Sequence, residues 1–357
     1  MKTDPDYKNR LLEAICNTIK PAALMEVCGT HTMAIARTGI RDLLPPHITL
    51  LSGPGCPVCV TSQGDIDTVI SLVLNHNITL LTFGDMMRVP GSECSLQEAR
   101  SQGADVRVVY SPLDALQMAQ NNPGREMVFL GIGFETTAPA VAHTIIEAQK
   151  LKVTNFSVLS LHKLVPPALE TLFADKEIKV DGLICPGHVS MIIGLKPYQQ
   201  LAAKFHQPCV VTGFEAVDIL ESICMLLQQI GKGQARIENQ YKRVVRPQGN
   251  PIALKLLEQV FEPVEARWRG LGAIPGSGLA VRDRYANYDA VRRYGLIATE
   301  DRSVKGCSCG SILTGKISPP QCALFGRACT PLNPVGPCMV SQEGACAAYY
   351  RYAPMKG

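Results

Sequence analysis

Six of the fourteen cysteines in this 357-residue chain lie in the segment 307–346, near its C-terminal end. Such a density in a chain with no export signal indicates metal binding or thiol chemistry, because cytoplasmic thiols stay reduced and rarely form disulfide frameworks. Four thiolates are enough for a 4Fe-4S cluster or for zinc. Four of these cysteines are separated by twelve, six and sixteen residues: Cys309, Cys322, Cys329 and Cys346.

The spacing of these cysteines favours iron–sulfur over zinc. Structural zinc sites usually contain a close C-x₂₋₄-C pair, whereas Cys307 and Cys309, the nearest pair here, have one intervening residue. Mutual disulfides or unreacted thiols are the third alternative. Cys307 and Cys338 exceed the number of ligands needed, so they are substitute ligands, redox neighbours of the cluster or small residues in tight loops.

A second group of chemically active residues lies near the N-terminus. Cys28 and His31 occur in MEVCGTHTMAI, and Cys56 and Cys59 form a CxxC motif in LLSGPGCPVCV. A cysteine between a strand and a glycine can have its pKa lowered by backbone amides, although a buried and inert cysteine is the alternative. A CxxC motif brings two sulfurs close enough for a disulfide, a dithiol or half of a metal site.

Short apolar runs that end in glycine, proline or polar turns must position these residues. The runs are ALMEVCGT, ITLLSGPG, ITLLTFGD, VRVVYSP, EMVFLGIG, FSVLSLH, GLICPGH and CVVTGF. They have the character of buried parallel strands, and the segments between them have helical periodicity. This alternation predicts an α/β fold with mostly parallel sheets flanked by helices. Ligands of such sheets lie at the carboxyl ends of the strands, where Cys28 and the CxxC motif fall.

The strand and glycine units predict two similar α/β domains followed by a loop-rich iron–sulfur module. We place the α/β domains at residues 1–125 and 126–240 and the C-terminal 4Fe-4S domain at 241–357. Beyond about residue 240 arginines, prolines and glycines become frequent and strand signals fade. Such a module has little core of its own, and a metal cluster would supply the missing folding free energy.

The composition argues against several classes of partner. With 46% hydrophobic and 18% charged residues the chain is typical of a globular protein. Its net charge of +4 and its lack of a basic run give no case for nucleic acid. Polar residues interrupt the longest apolar stretch, 66–83, so we expect no membrane span. The charged N-terminal segment does not resemble a secretory signal, and we expect a cytoplasmic protein.

Six segments, in the same order along the chain, resemble the motifs of the HypD family, the scaffold proteins of nickel–iron hydrogenase maturation. They are CGTHT at 28–32, GPGCPVC at 53–59, TFGDMMRVPG at 82–91, GFETT at 133–137, PGHVSMIIG at 186–194, and LFG at 324–326 with MVSQEGACAAYY at 339–350. The resemblance extends over most of the chain.

The resemblance implies an assembly role. A HypD protein and the small chaperone HypC hold an iron ion while two cyanides and one carbon monoxide are attached, and HypE delivers the cyanides. The family's iron-site cysteine corresponds to Cys28, expected to pair with the N-terminal cysteine of HypC. Its CxxC motif corresponds to Cys56 and Cys59. The implied cofactors are the Fe(CN)2CO intermediate and a 4Fe-4S cluster, whose ligands correspond to Cys309, Cys322, Cys329 and Cys346.

Some assignments stay open at the level of sequence. Met33 replaces a second histidine often found in the family, so His31 is the only matching imidazole. His188 could face the iron site across a cleft, but the sequence favours a structural histidine. Glu135 and the threonines of GFETT are expected to cap the helix that follows. Two other functions compete with the scaffold: a thiol–disulfide oxidoreductase that couples the cluster to the CxxC dithiol, and a zinc-stapled binding protein.

Overall fold

A computed structural model describes residues 5–301 and 306–352. Its strands are β1 (Ala22–Glu26), β2 (Ile48–Ser52), β3 (Ile78–Thr82), β4 (Asp105–Val108), β5 (Glu126–Gly131), β6 (Phe156–Ser160), β7 (Gly182–Pro186), β8 (Cys209–Thr212), β9 (Ile237–Asn239), β10 (Phe261–Trp268) and β11 (Gly272–Val281). Short 3₁₀ helices cover Gly84–Arg88, Asp283–Tyr288 and Pro319–Gln321.

The α-helices are α1 (Pro5–Cys16), α2 (Gly29–Thr38), α3 (Ile40–Leu43), α4 (Pro57–Val60), α5 (Gln63–Asn75), α6 (Leu96–Ser101), α7 (Pro112–Asn121), α8 (Ala138–Lys150), α9 (Val165–Ala174), α10 (Gly187–Ile193), α11 (Lys196–Phe205), α12 (Ala216–Gly231), α13 (Pro251–Val260), α14 (Ala290–Tyr294), α15 (Cys309–Leu313), α16 (Pro337–Val340) and α17 (Ala345–Tyr352). Among the helices of the described residues, none is long and apolar enough to cross a membrane.

Two parallel sheets form the centre of the fold. The first has the strand order β2-β1-β7-β8-β9, and the second has the order β4-β3-β5-β6. All neighbouring strands in both sheets run parallel. The apolar runs of the inner strands β3, β5 and β7 are buried along nearly their whole length, as expected for strands that helices cover on both faces. The predicted α/β class with parallel sheets flanked by helices is confirmed.

The division between the two sheets differs from the predicted domain boundaries. The first sheet takes strands from 22–52 and from 182–239, whereas the second takes the whole of 78–160. A boundary at residue 125 would therefore separate β5 from its partner β3, so that prediction is wrong. Strand periodicity locates strands but contains no information about their partners, and the pairing of Leu24 with Gly182 joins distant parts of the chain.

Part of the predicted C-terminal domain belongs to the packing of the second sheet. Strands β10 and β11 form an antiparallel hairpin in a region whose residues show only weak strand signals. Leu257 of α13 and Phe261 of β10 share a core cluster with Phe129 of β5 and Val141 of α8. The loop-rich region with the cysteines begins only after this hairpin and α14.

A buried carboxylate in the loop after β5 contacts the start of helix α9. Glu135 Oε1 accepts a hydrogen bond from the Val165 N–H at 2.9 Å, at the first residue of α9, and Oε2 has no hydrogen-bond partner. The prediction that Glu135 and the threonines of GFETT cap the following helix is wrong, because Thr137 precedes α8 without a side-chain cap hydrogen bond. Burial raises the pKa of Glu135 from 4.5 to about 7.

This shift predicts how stability depends on pH. Between pH 4.5 and 7 the unfolded chain ionises Glu135 while the folded chain keeps it protonated, so stability falls as pH rises across that window. We expect Glu135→Gln to abolish this pH-dependent fall in stability, which amounts to about 3 kcal/mol in the free energy of unfolding. The measurement is urea unfolding at several pH values between 4.5 and 8.

Glu98→Gln is the matched control, because hydrogen bonds from the backbone N–H and hydroxyl of Ser95 lower the pKa of Glu98. Glu98 contributes stability that is lost only as pH falls below 4.5 through its lowered folded pKa, so Glu98→Gln should leave the pH profile between 4.5 and 8 unchanged. Parallel pH profiles for wild type and Glu135→Gln would contradict the prediction.

Candidate metal centre

The cysteines of the C-terminal region converge on one small pocket. Its apolar lining comes from Ile312, Leu324, Phe325 and Met339, with Gly336 completing it. Its thiols are those of Cys307, Cys309, Cys322, Cys329, Cys338 and Cys346. The four predicted cluster ligands therefore meet in space, together with both of the extra cysteines.

Short elements hold these thiols in place. Cys309 begins α15, Cys338 lies within α16 and Cys346 lies within α17. Cys322 directly follows the 3₁₀ helix Pro319–Gln321. The thiol of Cys329 accepts a hydrogen bond from the N–H of Val335 at 3.3 Å. A pocket built from such short pieces, with little regular structure between them, suits a group that links them from inside.

The donor set fits an iron–sulfur cluster. Thiolates in an apolar, buried pocket are the ligands of such clusters, and each thiolate of a 4Fe-4S centre binds a different iron. Burial raises the pKa of Cys346 well above its ordinary value, a rise that a bound cation reverses. Among the described residues, no three His, Cys, Asp or Glu side chains are placed to share a single metal ion. The sulfurs of Cys309 and Cys338 lie 2.8 Å apart.

The CxxC motif lies directly beside this pocket. Cys56 and Cys59 form a disulfide, with their Cα atoms 5.2 Å apart. Cys56 caps α4 by accepting the Cys59 N–H at 3.2 Å, and a proline at the first helical position supports the turn. The sulfur of Cys59 lies 3.9 Å from the carbonyl oxygen of Pro337, the neighbour of Cys338 in the chain.

Cys28 lies at the other side of the CxxC loop. It is the N-cap residue of α2, with extended backbone angles, directly after β1. The N–H of Gly29 donates to the carbonyl of Gly55 at 2.9 Å. A Cβ added at Gly55 would lie 2.1 Å from the Cys28 nitrogen, so only glycine permits this approach. The GPGCPVC loop therefore holds Cys28 and the disulfide in one arrangement.

Two carboxylates surround Cys28. Glu26 is fully buried and accepts hydrogen bonds from the Cys28 N–H at 3.1 Å and from the Thr32 hydroxyl at 2.6 Å. Glu343, which comes from the C-terminal region, accepts the Thr30 hydroxyl at 2.7 Å. A Cβ at residue 29 would meet Glu343 Cβ at 2.4 Å. The site is thus assembled from both ends of the chain.

These surroundings disfavour a free thiolate. Burial raises the pKa of Cys28 to about 12, and the charges of Glu343 and Glu26 add to the rise. Backbone N–H groups of α2 act in the opposite direction, as the sequence predicted, but burial outweighs them. Burial also raises the pKa of Glu26 to about 7. A divalent cation would favour the ionised form of each group, so metal binding here would be coupled to proton release.

His31 is buried in the first turn of α2 and points away from solvent. Its Nε2 lies 2.9 Å from the carbonyl of Gly213, so Nε2 carries the proton and Nδ1 has a free lone pair with no partner. Burial lowers the pKa of His31 to about 4, which keeps the ring neutral. Phe214 stacks between the rings of His31, at 4.7 Å, and His188, at 4.0 Å.

The structure adds residues that sequence reasoning did not assign. Glu26 is a charged residue inside an apolar strand, which is a visible signal of a buried polar site. Glu343 stands in the EGAC motif but had no predicted role. Phe214 gave no signal, because its position depends on the approach of β8 to α2.

Comparison with known proteins agrees with these motifs. A model of the HypD family, described as "Hydrogenase formation hypA family", matches residues 6–353. The chain belongs to the HypD family. It is 47% identical over 338 residues to the hydrogenase maturation factor HypD of Rhodobacter capsulatus, covering 93% of this chain and 90% of that protein. HypD of Escherichia coli is 44% identical over 334 residues, with coverage of 93% and 90%. A third HypD relative, from Azotobacter vinelandii, is 48% identical over 336 residues, covering 92% of this chain and 89% of that protein.

The contact between Gly55 and Cys28 yields a prediction for this HypD protein. In Gly55→Ala the added methyl group would overlap backbone atoms of residues 27 and 28, so we expect the free energy of unfolding to fall by about 2–3 kcal/mol. Gly124→Ala is the matched control, because its Cβ would meet no atom within 4 Å. Chemical unfolding compares the two variants. Equal effects at both positions would contradict the proposed close approach.

Proposed function

We propose that this protein is the scaffold on which the Fe(CN)2CO fragment of nickel–iron hydrogenase is assembled, in the cytoplasm. Cys28 binds the iron of this cargo together with a thiolate of a HypC-type small chaperone, and a HypE-type protein donates the cyanides. The relatives are named as hydrogenase maturation factors, which supports a role in hydrogenase maturation. The proposed partners and cargo follow from the resemblance of the motifs in this chain to those of the HypD family.

The observation that carries the proposal is the placement of Cys28. Its thiol is held at a helix N-terminus between two carboxylates, beside the CxxC loop and near the cysteine pocket. An iron that carries cyanide and carbon monoxide suits a soft thiolate ligand. One protein ligand from each partner would allow later release, whereas a site with many ligands from one chain would retain the cargo.

The residues around Cys28 have separate tasks in this account. Glu26 accepts the N–H of Cys28 and thereby fixes its backbone. Glu343 fixes the start of α2 through the Thr30 hydroxyl and brings negative charge to the side of the thiol. The unpartnered Nδ1 of His31 is an acceptor in the same helical turn. The ordering of these groups before the cargo arrives lowers the entropy cost of binding.

The cysteine pocket is proposed to hold a 4Fe-4S cluster through Cys309, Cys322, Cys329 and Cys346. When bound, such a cluster supplies single electrons. The Cys56–Cys59 disulfide lies next to the pocket, and its reduction to two thiols consumes two electrons and two protons. This neighbourhood favours a second candidate function, a thiol–disulfide oxidoreductase in which the CxxC pair exchanges electrons with the cluster.

Infrared spectroscopy of the anaerobic complex with the HypC-type chaperone tests the scaffold. We expect cyanide and carbonyl stretching bands in the wild-type complex and their loss in Cys28→Ser, because serine lacks the soft thiolate ligand. Cys16→Ser is the matched control, since Cys16 is an exposed thiol of α1, and it should keep the bands.

Iron and acid-labile sulfide analysis of the same samples reports on the cluster separately, with about four irons per chain expected from the cluster. A wild-type complex without the bands would contradict the scaffold. If such a sample still contained the cluster and reduced its own disulfide, the oxidoreductase would be favoured. Zinc in place of iron would contradict the cluster.

A further inference from the structure

Arg269 lies between the CxxC helix and the cysteine pocket. It directly follows β10, in the turn of the hairpin. Its backbone N–H donates to the carbonyl of Val60 at 2.9 Å. Its side chain donates from Nε to the carbonyl of Thr61 at 3.1 Å and from Nη1 to Gln63 Oε1 at 3.2 Å. The arginine is therefore fixed to the chain that directly follows Cys59.

The hairpin turn that contains Arg269 also packs beside the cysteine pocket. The next residue, Gly270, packs against the backbone of Gly310, which follows Cys309. The guanidinium of Arg269 lies within electrostatic range of three pocket cysteines: Cys307, Cys309 and Cys338. Its Nη2 is buried and has no hydrogen-bond partner. One side of the guanidinium is thus anchored, and a donor on it remains unused.

The charge of this guanidinium is not neutralised locally. No carboxylate of residues 5–301 or 306–352 forms an ion pair with it. A cation in a partly buried site acts through a lower dielectric than water and affects nearby redox groups strongly. Reduction adds a negative charge to a cluster, so a fixed positive charge beside it stabilises the reduced form.

We propose that Arg269 is a positioning residue that raises the reduction potential of the cluster and holds the CxxC helix against its pocket. This inference rests on the proposed presence of the 4Fe-4S cluster. It assigns the control of electron transfer between the cluster and the CxxC pair to a residue outside every cysteine motif. Arg267 provides an internal comparison: its guanidinium donates to the carbonyl of Thr299 at 3.4 Å and it lines a different cavity, with His162 and Lys163.

The test is the midpoint potential of the cluster in the full-length protein, measured anaerobically by redox titration with electron paramagnetic resonance. We expect a more negative potential in Arg269→Gln and in Arg269→Met, which lack the charge. Arg269→Lys keeps the charge and should stay close to wild type. Arg267→Gln removes an equal charge two residues away and should leave the potential unchanged.

The iron and sulfide content and the thermal unfolding of each variant show whether it has folded and retained the cluster. The midpoint potential of either neutral variant that retains the cluster then tests the electrostatic effect. An unchanged potential in such a variant would overturn the proposal, as would an equal shift in Arg269→Lys. If the wild-type protein itself holds no cluster, the metal analysis reveals the failure of the proposed cofactor, and this inference falls with it.

Discussion

The contact between the C-terminal region and the start of helix α2 determines the form of the proposed site. Glu343 packs on Gly29 and accepts the hydroxyl of Thr30 at 2.7 Å, while α17 packs along α2. The first turn of α2, directly after Cys28, is therefore held by a segment more than three hundred residues away. Because the same segment contains Cys346, one packed unit connects the thiol proposed to hold the cargo with the pocket proposed to hold the cluster.

Burial gives this site its electrostatic character. The thiol of Cys28 and the carboxyl group of Glu26 share a region from which water is largely removed, so the ionised forms of both groups are disfavoured. A cation of the cargo would restore these charges and release protons. The glycines at positions 29 and 55 allow the surrounding chain to approach closely enough to build such a site. The site therefore suits a cationic cargo, whose charge would favour the ionised forms of Cys28 and Glu26.

The sequence predicted the local features well, because they depend on local chemistry. Apolar runs ending in glycine turns located the strands, and the C-terminal cysteines did meet in one pocket. Partners of strands could not be predicted, since β1 pairs with β7 across about 160 residues and no local pattern encodes that choice. Glu343 and Arg269 could not be assigned for the same reason, because they contact the Cys28 site and the CxxC helix only after distant segments have packed. The sequence left open whether Cys28 is an exposed thiolate or a buried thiol, and the assembled fold decides this by burying the side chain and raising its pKa.

Hydrogen–deuterium exchange of helix α2 tests most directly whether the C-terminal region builds the Cys28 site. The amides of Gly29 and Thr32 are hydrogen-bonded, to Gly55 and to Cys28, and their protection should depend on Glu343. In Glu343→Ala we expect both amides to exchange about fivefold to tenfold faster, the loss of roughly one buried hydrogen bond. Gln342→Ala, at the exposed neighbouring position, should leave them unchanged. Unaltered protection in Glu343→Ala would contradict the account.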